Sequence, residues 1–201
     1  MPKEDWNIEA VKIVVPKKNG LEKIERVLRT PDERFKDLPD WPYHPLYVTT
    51  HVHGQVRIHY IDEGPKDAKE TLLLMHGEPT WGYLYRHMIP PLVAAGFRVI
   101  VPDLVGFGRS DKPNRREDIS FEREVDWFTE FLVTLRLDDI TFFGQDWGGL
   151  IGLRVVARLP ERFSRLAVSN TFLPTGKGAN ETFAIWASVI SQKAEEWGPI
   201  I

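Results

Sequence analysis

One aspartate carries the strongest chemical signal in this chain. Asp146 lies in the run Gly144-Gln145-Asp146-Trp147-Gly148-Gly149, between a short apolar stretch and a segment of helical periodicity. Glycines two before and two after a central side chain let the backbone turn sharply and lift that side chain to the top of the turn. This is the G-x-nucleophile-x-G spacing, with Asp where Ser is usual. The N–H groups that open the following helix, and its dipole, favour an ionised carboxylate there. An Asp that only caps a helix is common, but a cap does not require glycine on both sides. A carboxylate attacking an acyl carbon makes a high-energy anhydride, whereas attack on a saturated carbon makes a simple ester. Asp146 therefore points to alkyl halides or epoxides, hydrolysed in two steps through a covalent intermediate.

The neighbouring signals fit that chemistry. His76-Gly77-Glu78-Pro79-Thr80 follows an apolar run and is placed to give one oxyanion-hole donor, the backbone N–H of Glu78, with the N–H of Trp147 as the other. Alone, His76-Gly77 reads as a turn. A departing halide needs donors without competing lone pairs, and the indole N–H is donor-only. Trp147, beside the nucleophile, is the first candidate, and each such bond to an anion is worth about 1.5–3 kcal/mol. The Gly-rich segment from Asp103 to Pro113 lacks the Gly-Lys-Ser/Thr ending of a phosphate loop, so it is assigned a structural role. Ser110 within it has no flanking elbow and is not taken as a nucleophile. His51, His53 and His59 share strand parity, but no carboxylate joins them at ligand spacing and Gly54 interrupts them, so no metal and no cofactor is expected. Arg115-Arg116-Glu117-Asp118 reads as a solvated loop.

The elements that must hold these residues alternate. Gln55–Asp62 has strand alternation, Thr71–Met75 and Phe97–Val101 are apolar runs of strands covered on both faces, and Ile140–Phe143 and Leu166–Val168 are further strands. Leu84, Met88, Leu92 and Val93 recur at helical spacing up to Gly96. Phe121–Leu135 is amphipathic, with Val125, Phe128, Leu132 and Leu135 on one face, and Gly148–Arg158 is helical. The fold class is α/β with a mostly parallel sheet and flanking helices. After Thr171 comes a Gly/Pro loop, then helical character from Thr182 to Gln192.

Composition narrows the setting. The chain has 201 residues, with 26 Lys plus Arg against 29 Asp plus Glu and a net charge of −3. That balance gives no basic field for nucleic acid. No apolar run approaches the roughly 20 residues of a membrane span. Met1 to Asp5 is too polar for a signal peptide, and there is no cysteine. A cytoplasmic protein without nucleic-acid or membrane partners is expected.

His76-Gly77-Glu78-Pro79-Thr80-Trp81, the Asp103-to-Pro113 loop and Gln145-Asp146-Trp147-Gly148-Gly149 together make the chain resemble the α/β-hydrolase superfamily. Within it they resemble the haloalkane dehalogenases whose halide site uses two tryptophans. The resemblance runs from about Arg29 to the chain end. It implies 1–28 as an N-terminal extension, 29–171 as the N-terminal part of the hydrolase core and 172–201 as the start of a helical cap. It implies a small haloalkane, water and a halide ion as ligands. The family takes its second halide donor from the start of the cap. Trp186 holds that place by spacing, Trp197 is the fallback, and ordinary cap packing is the competing role for Trp186. The family's base is a His, supported by an acid, that follows the nucleophile. All six histidines here precede Asp146, so base and acid are expected beyond Ile201, and the chain is expected to be a fragment that forms an ester without turnover. Two alternatives stand beside this. Epoxide hydrolases of the same superfamily protonate the epoxide with cap tyrosines, but all five tyrosines precede Asp146. A non-catalytic binding relative would keep the elbow only as scaffold.

Overall fold

Apolar runs and amphipathic helices produce the expected layered architecture, with parallel strands at its centre. The computed structural model describes residues 23–173 together with Ile185, Ser188 and Val189. Its strands are β1 (Val27–Leu28), β2 (Leu46–Thr50), β3 (Val56–Glu63), β4 (Thr71–Met75), β5 (Arg98–Pro102), β6 (Lys112–Pro113), β7 (Ile140–Gln145) and β8 (Phe163–Ser169). Its α-helices are α1 (Ile89–Ala94), α2 (Phe121–Thr134) and α3 (Trp147–Arg158). Six strands form one sheet in the order β2-β3-β5-β4-β7-β8, and β1 pairs with β6 apart from it. The pairs β2/β3 and β3/β5 are antiparallel, while β5/β4, β4/β7 and β7/β8 are parallel.

Every residue of β4 is buried, as a central strand with both faces covered requires. Leu73, Met75, Ile100 and Phe142 face one layer, where they meet Val125, Phe128 and Phe131 of α2 and Ile151 and Val155 of α3. Leu72, Leu74, Val99 and Val101 face the other, against Tyr85 and Ile89. A fully buried side chain of this kind contributes about 1.5–3 kcal/mol, so these two clusters hold the carboxyl ends of the central strands in place. β8 forms one edge, and its Leu166 and Val168 are exposed.

The structure departs from the sequence expectations at identifiable points. The helix read from Leu84, Met88, Leu92 and Val93 is instead a 3₁₀ turn at Gly82–Tyr85 followed by the short α1. Pro90 and Pro91 are tolerated only in a first helical turn, so the helix cannot begin earlier. The buried pair is Tyr85 and Ile89, while Leu84 and Met88 are exposed. Strand β2 forms where the sequence pattern shows no strand; it buries Val48 and Thr50 on the antiparallel edge. Arg115–Asp118 is not simply a solvated loop. Asp118 is buried beneath it, 3.5 Å from Nη1 of Arg123 on α2. The three histidines of shared parity go to separate partners. The backbone N–H of His51 donates to Glu130, the His53 ring bonds Asp126, and the His59 ring bonds Asp103.

Asp103, just beyond β5, organises the Gly-rich loop. Its Oδ2 accepts from His59 Nδ1 at 2.8 Å and from the Arg109 N–H at 2.8 Å, its Oδ1 accepts from the Gly82 N–H at 2.8 Å, and its carbonyl accepts from Ser110 Oγ. Burial alone would raise this carboxyl's pKa, but the His59 hydrogen bond, the nearby His59 and His76 rings and the Arg109 N–H hold it below the ordinary value. The resulting stabilisation is fully present above the unfolded value near ~3.9 and is lost as pH falls through the lower folded value. Removing the carboxylate leaves the donors of His59, Gly82 and Arg109 without their acceptor. Asp103→Ala is therefore expected to lower the unfolding free energy by about 3–5 kcal/mol, read from urea denaturation at neutral pH.

Candidate active site

The parallel register of β4 and β7 sets the site. Met75 pairs with Gly144, so the two strands end side by side, and two residues further on Gly77 and Asp146 face one another. A Cβ on Gly77 would overlap the Cβ and Oδ1 of Asp146; only glycine leaves room for that carboxylate. The next residue completes the contact, with the Glu78 N–H donating to Asp146 Oδ1 at 2.9 Å.

Asp146 itself takes φ 52° and ψ −125°. Residues other than glycine seldom adopt that region, and it is the sharp strand-to-helix turn expected of a nucleophile elbow. The turn is held from several sides. The Asp146 carbonyl accepts from the N–H of Gly149 at 3.0 Å, from that of Leu150 at 3.1 Å and from Thr171 Oγ1 at 2.9 Å. At Gly148 a Cβ would run into the carbonyl oxygens of Met75 and His76, so glycine is what lets α3 start against the end of β4. Asp146 sits at the N-cap position, yet its side chain makes no capping hydrogen bond. The carboxylate turns instead to Glu78, which removes helix capping as the reason for its presence.

Trp147 is half-buried beside it. Together with Glu78, Leu104, Val105, Phe107 and Ile151 it lines a largely apolar cavity of about 360 Å³ at the carboxyl ends of the strands. That is where open α/β sheets bind ligands. The N–H of Trp147, at the first position of α3, has no acceptor within the helix. Trp186 and Trp197 lie outside the described residues.

His76 does more than turn the chain. It is buried, its Nδ1 is 2.9 Å from the Gly77 carbonyl, and its Nε2 is 2.9 Å from the Leu104 N–H. A carbonyl can only accept and an N–H can only donate, so Nδ1 carries the proton and the ring is neutral. Both nitrogens are thereby committed to tying the β4 loop to the cavity wall, and neither is free to act as a base. The cavity also has an acidic member that the motifs did not reveal. Glu124 of α2 is buried and lines it. The available signal was its spacing: Phe121, Glu124 and Phe128 fall on one helical face.

With this geometry the chain can be placed among known proteins. A family model described as the alpha/beta hydrolase fold matches residues 70–194, and the chain belongs to that family. It is also 56% identical over 164 residues to a haloalkane dehalogenase of Psychrobacter cryohalolentis, covering 80% of this chain and 54% of that protein. A haloalkane dehalogenase of Mycolicibacterium paratuberculosis is 56% identical over 153 residues, covering 75% of this chain and 50% of that protein. Among solved structures it is similar to the tetrameric haloalkane dehalogenase DpaA from Paraglaciecola agarilytica NO2. That match has a TM-score of 0.79 and 43% identity, and covers 83% of this chain and 56% of the other. The chain spans about half the length of the curated relatives it matches.

Burial holds the His76 pKa below its ordinary value, against the opposing pull of Asp103, the Gly77 carbonyl and Asp146. Below pH about 6.5 the unfolded chain binds a proton at this ring that the folded chain does not, so stability falls as pH drops toward the folded pKa. His76→Gln should be less stable than the parent at pH 7. It should also lose less on going to pH 5, as measured by denaturant unfolding at the two pH values.

Proposed function

We propose that this chain carries the nucleophilic centre of a haloalkane dehalogenase, and that Asp146 is the nucleophile. The single observation behind this is the Asp146 carboxylate, with Oδ1 held by the Glu78 N–H and Oδ2 left without a partner among the described residues, beside the cavity lined by Trp147. In this reading Oδ2 attacks the carbon that bears the halogen, from the side opposite the leaving atom. A C–O bond forms, the C–X bond breaks, and its electron pair leaves with the halide. The Trp147 indole N–H meets that ion. Residues 172–201 begin the cap, from which Trp186 supplies the second N–H.

The product is an alkyl ester on Oδ2, with Oδ1 as its carbonyl oxygen. When water adds to that carbonyl carbon, negative charge grows on Oδ1. The Glu78 N–H already donates there, and the Trp147 N–H completes the hole. The water must yield a proton to a base. All six histidines are among the described residues, and none lines the cavity; His76, at its edge, has both ring nitrogens engaged. The ester is therefore expected to accumulate in this chain.

An epoxide oxygen stays attached to carbon and needs a proton donor. None of the five tyrosines, all of them described, lines the cavity, and the Tyr85 hydroxyl is committed to the Met75 carbonyl. This supports halide over epoxide. The ligands in this reading are a small haloalkane, water and a halide ion. The setting is cytoplasmic, which the absence of cysteine supports. No helix among the described residues is long and apolar enough to cross a membrane.

Incubation with 1-bromobutane followed by peptide mass spectrometry tests the assignment. The expected result is one butyl group on the peptide containing Asp146, with about one equivalent of bromide released. Asp146→Asn should slow adduct formation by at least ~10⁴-fold. No adduct on the parent chain, or the same adduct on the variant, would overturn the reading.

A further inference from the structure

The displacement at Asp146 uses one cavity. A second, of about 650 Å³, lies between residues 23–29 and the β2–β3 hairpin, and the two share no lining residue. Its character is the opposite of the first. The side-chain cations Lys23, Arg26, Arg29 and Arg57 line it, against the carboxylates of Glu25 and Asp111. Positive charge is therefore in excess by two.

The buried carboxylate fixes the arginines in place. Asp111 is 1% exposed at its side chain and is tied to β3 twice. Its Oδ2 accepts from the Arg57 N–H at 3.0 Å, and its own N–H donates to the Arg57 carbonyl at 2.9 Å. Arg29 forks onto the same carboxylate, with Nε donating to Oδ1 at 2.6 Å and Nη2 to Oδ2 at 3.1 Å. The Arg57 guanidinium lies over the Tyr47 ring, 4.1 Å from its centre, with Nε 3.8 Å from Asp111 Oδ1. One negative charge thus positions two guanidinium groups and neutralises only one. The Arg57 Nη groups make no hydrogen bond, and the side chains of Lys23 and Arg26 have no hydrogen-bond or ion-pair partner, among the described residues. A guanidinium already held in place loses less freedom when it takes a ligand, and its fork of N–H groups matches the paired oxygens of a phosphate.

We propose that this cavity binds a phosphomonoester, with its dianionic phosphate group held by Arg57 and Arg26 and its organic half in the remaining space. The excess of two positive charges matches the charge of that group. The volume is in the range of small-molecule sites, about 300–1,000 Å³, and a bare phosphate would leave most of it empty. Thr49 and Gln55, also in the wall, add a hydroxyl and an amide, so the organic half is that of a polar alcohol. Nothing in this site depends on Asp146 or on the haloalkane reading.

Titration of the full chain with glucose 6-phosphate at pH 7 and low ionic strength, followed through the arginine Nε–H resonances, tests the proposal. The Arg57 and Arg26 signals are identified as those absent from Arg57→Gln and Arg26→Gln. Both should move saturably, with a Kd of about 1 mM or tighter, while inorganic phosphate binds more weakly and glucose moves neither. Arg26→Gln removes a side chain with no other partner in the fold, so the variant should fold as the parent does. Its affinity, read from the Arg57 signal, should fall about tenfold, the loss of one charge-assisted contact. Lys69→Gln removes an exposed positive charge outside the cavity and should leave the affinity within about twofold. No saturable movement, or equal losses from Arg26→Gln and Lys69→Gln, overturns the proposal. Equal affinity for inorganic phosphate would sustain the anion site and overturn the ester.

Discussion

The site depends on one hydrogen bond, from the Glu78 N–H to Asp146 Oδ1. It exists because two parallel strands end in register. The pairing of Met75 with Gly144 delivers Gly77 opposite Asp146, and the missing Cβ at Gly77 lets the carboxylate lie flat against the loop. The bond also tells the two carboxylate oxygens apart. In the proposed reaction one is held as the future carbonyl oxygen and the other is left to attack, so orientation comes from the backbone and not from a side-chain partner that would compete for the reacting atom.

Around that bond the protein spends its other polar groups on rigidity. His76 bridges two loops with both of its nitrogens, and Asp103 gathers the Gly-rich loop through His59, Arg109 and Gly82. Both are buried, and their electrostatic fates are opposite. Asp103 meets enough donors for its charge to survive burial, whereas His76 stays neutral because one of its nitrogens must accept. Glu124 is the third case, a carboxyl with too few donors to keep its charge. These three groups encircle the loops that follow β4 and β5, so the chemical character of the cavity is set by hydrogen-bond supply as much as by its apolar lining.

What could be read from the sequence was what local pattern encodes. The apolar run of β4, the glycines around Asp146 and the amphipathic face of α2 each announce themselves within a few residues. The departures arise where a neighbour in space, and not the local pattern, decides which side chain is covered. Leu92 and Val93 pack on the core as their spacing implies, but Tyr85 and Ile89 repeat at the same interval as Leu84 and Met88, and only the sheet beneath decides which pair is buried. Asp118 looked solvated because Arg123 is supplied by a different element. Glu124 carries a helical-face signal, but the burial that pushes its pKa up is set by neighbours from other elements. The elbow itself was legible, and its strained dihedral and its release from capping duty became visible only with Glu78 in place.

The donor and acceptor of the central hydrogen bond are 68 residues apart in the chain. In a nascent or unfolded chain Asp146 has no amide fixed against it and no cavity to concentrate an alkylating agent. If Asp146 is the nucleophile proposed above, its reactivity toward carbon appears only when β7 docks beside β4, one of the later kinds of contact for a chain to make. On that reading topology protects the carboxylate from alkylation during synthesis, and the appearance of an ester at Asp146 would serve as a chemical clock for the moment the central sheet closes.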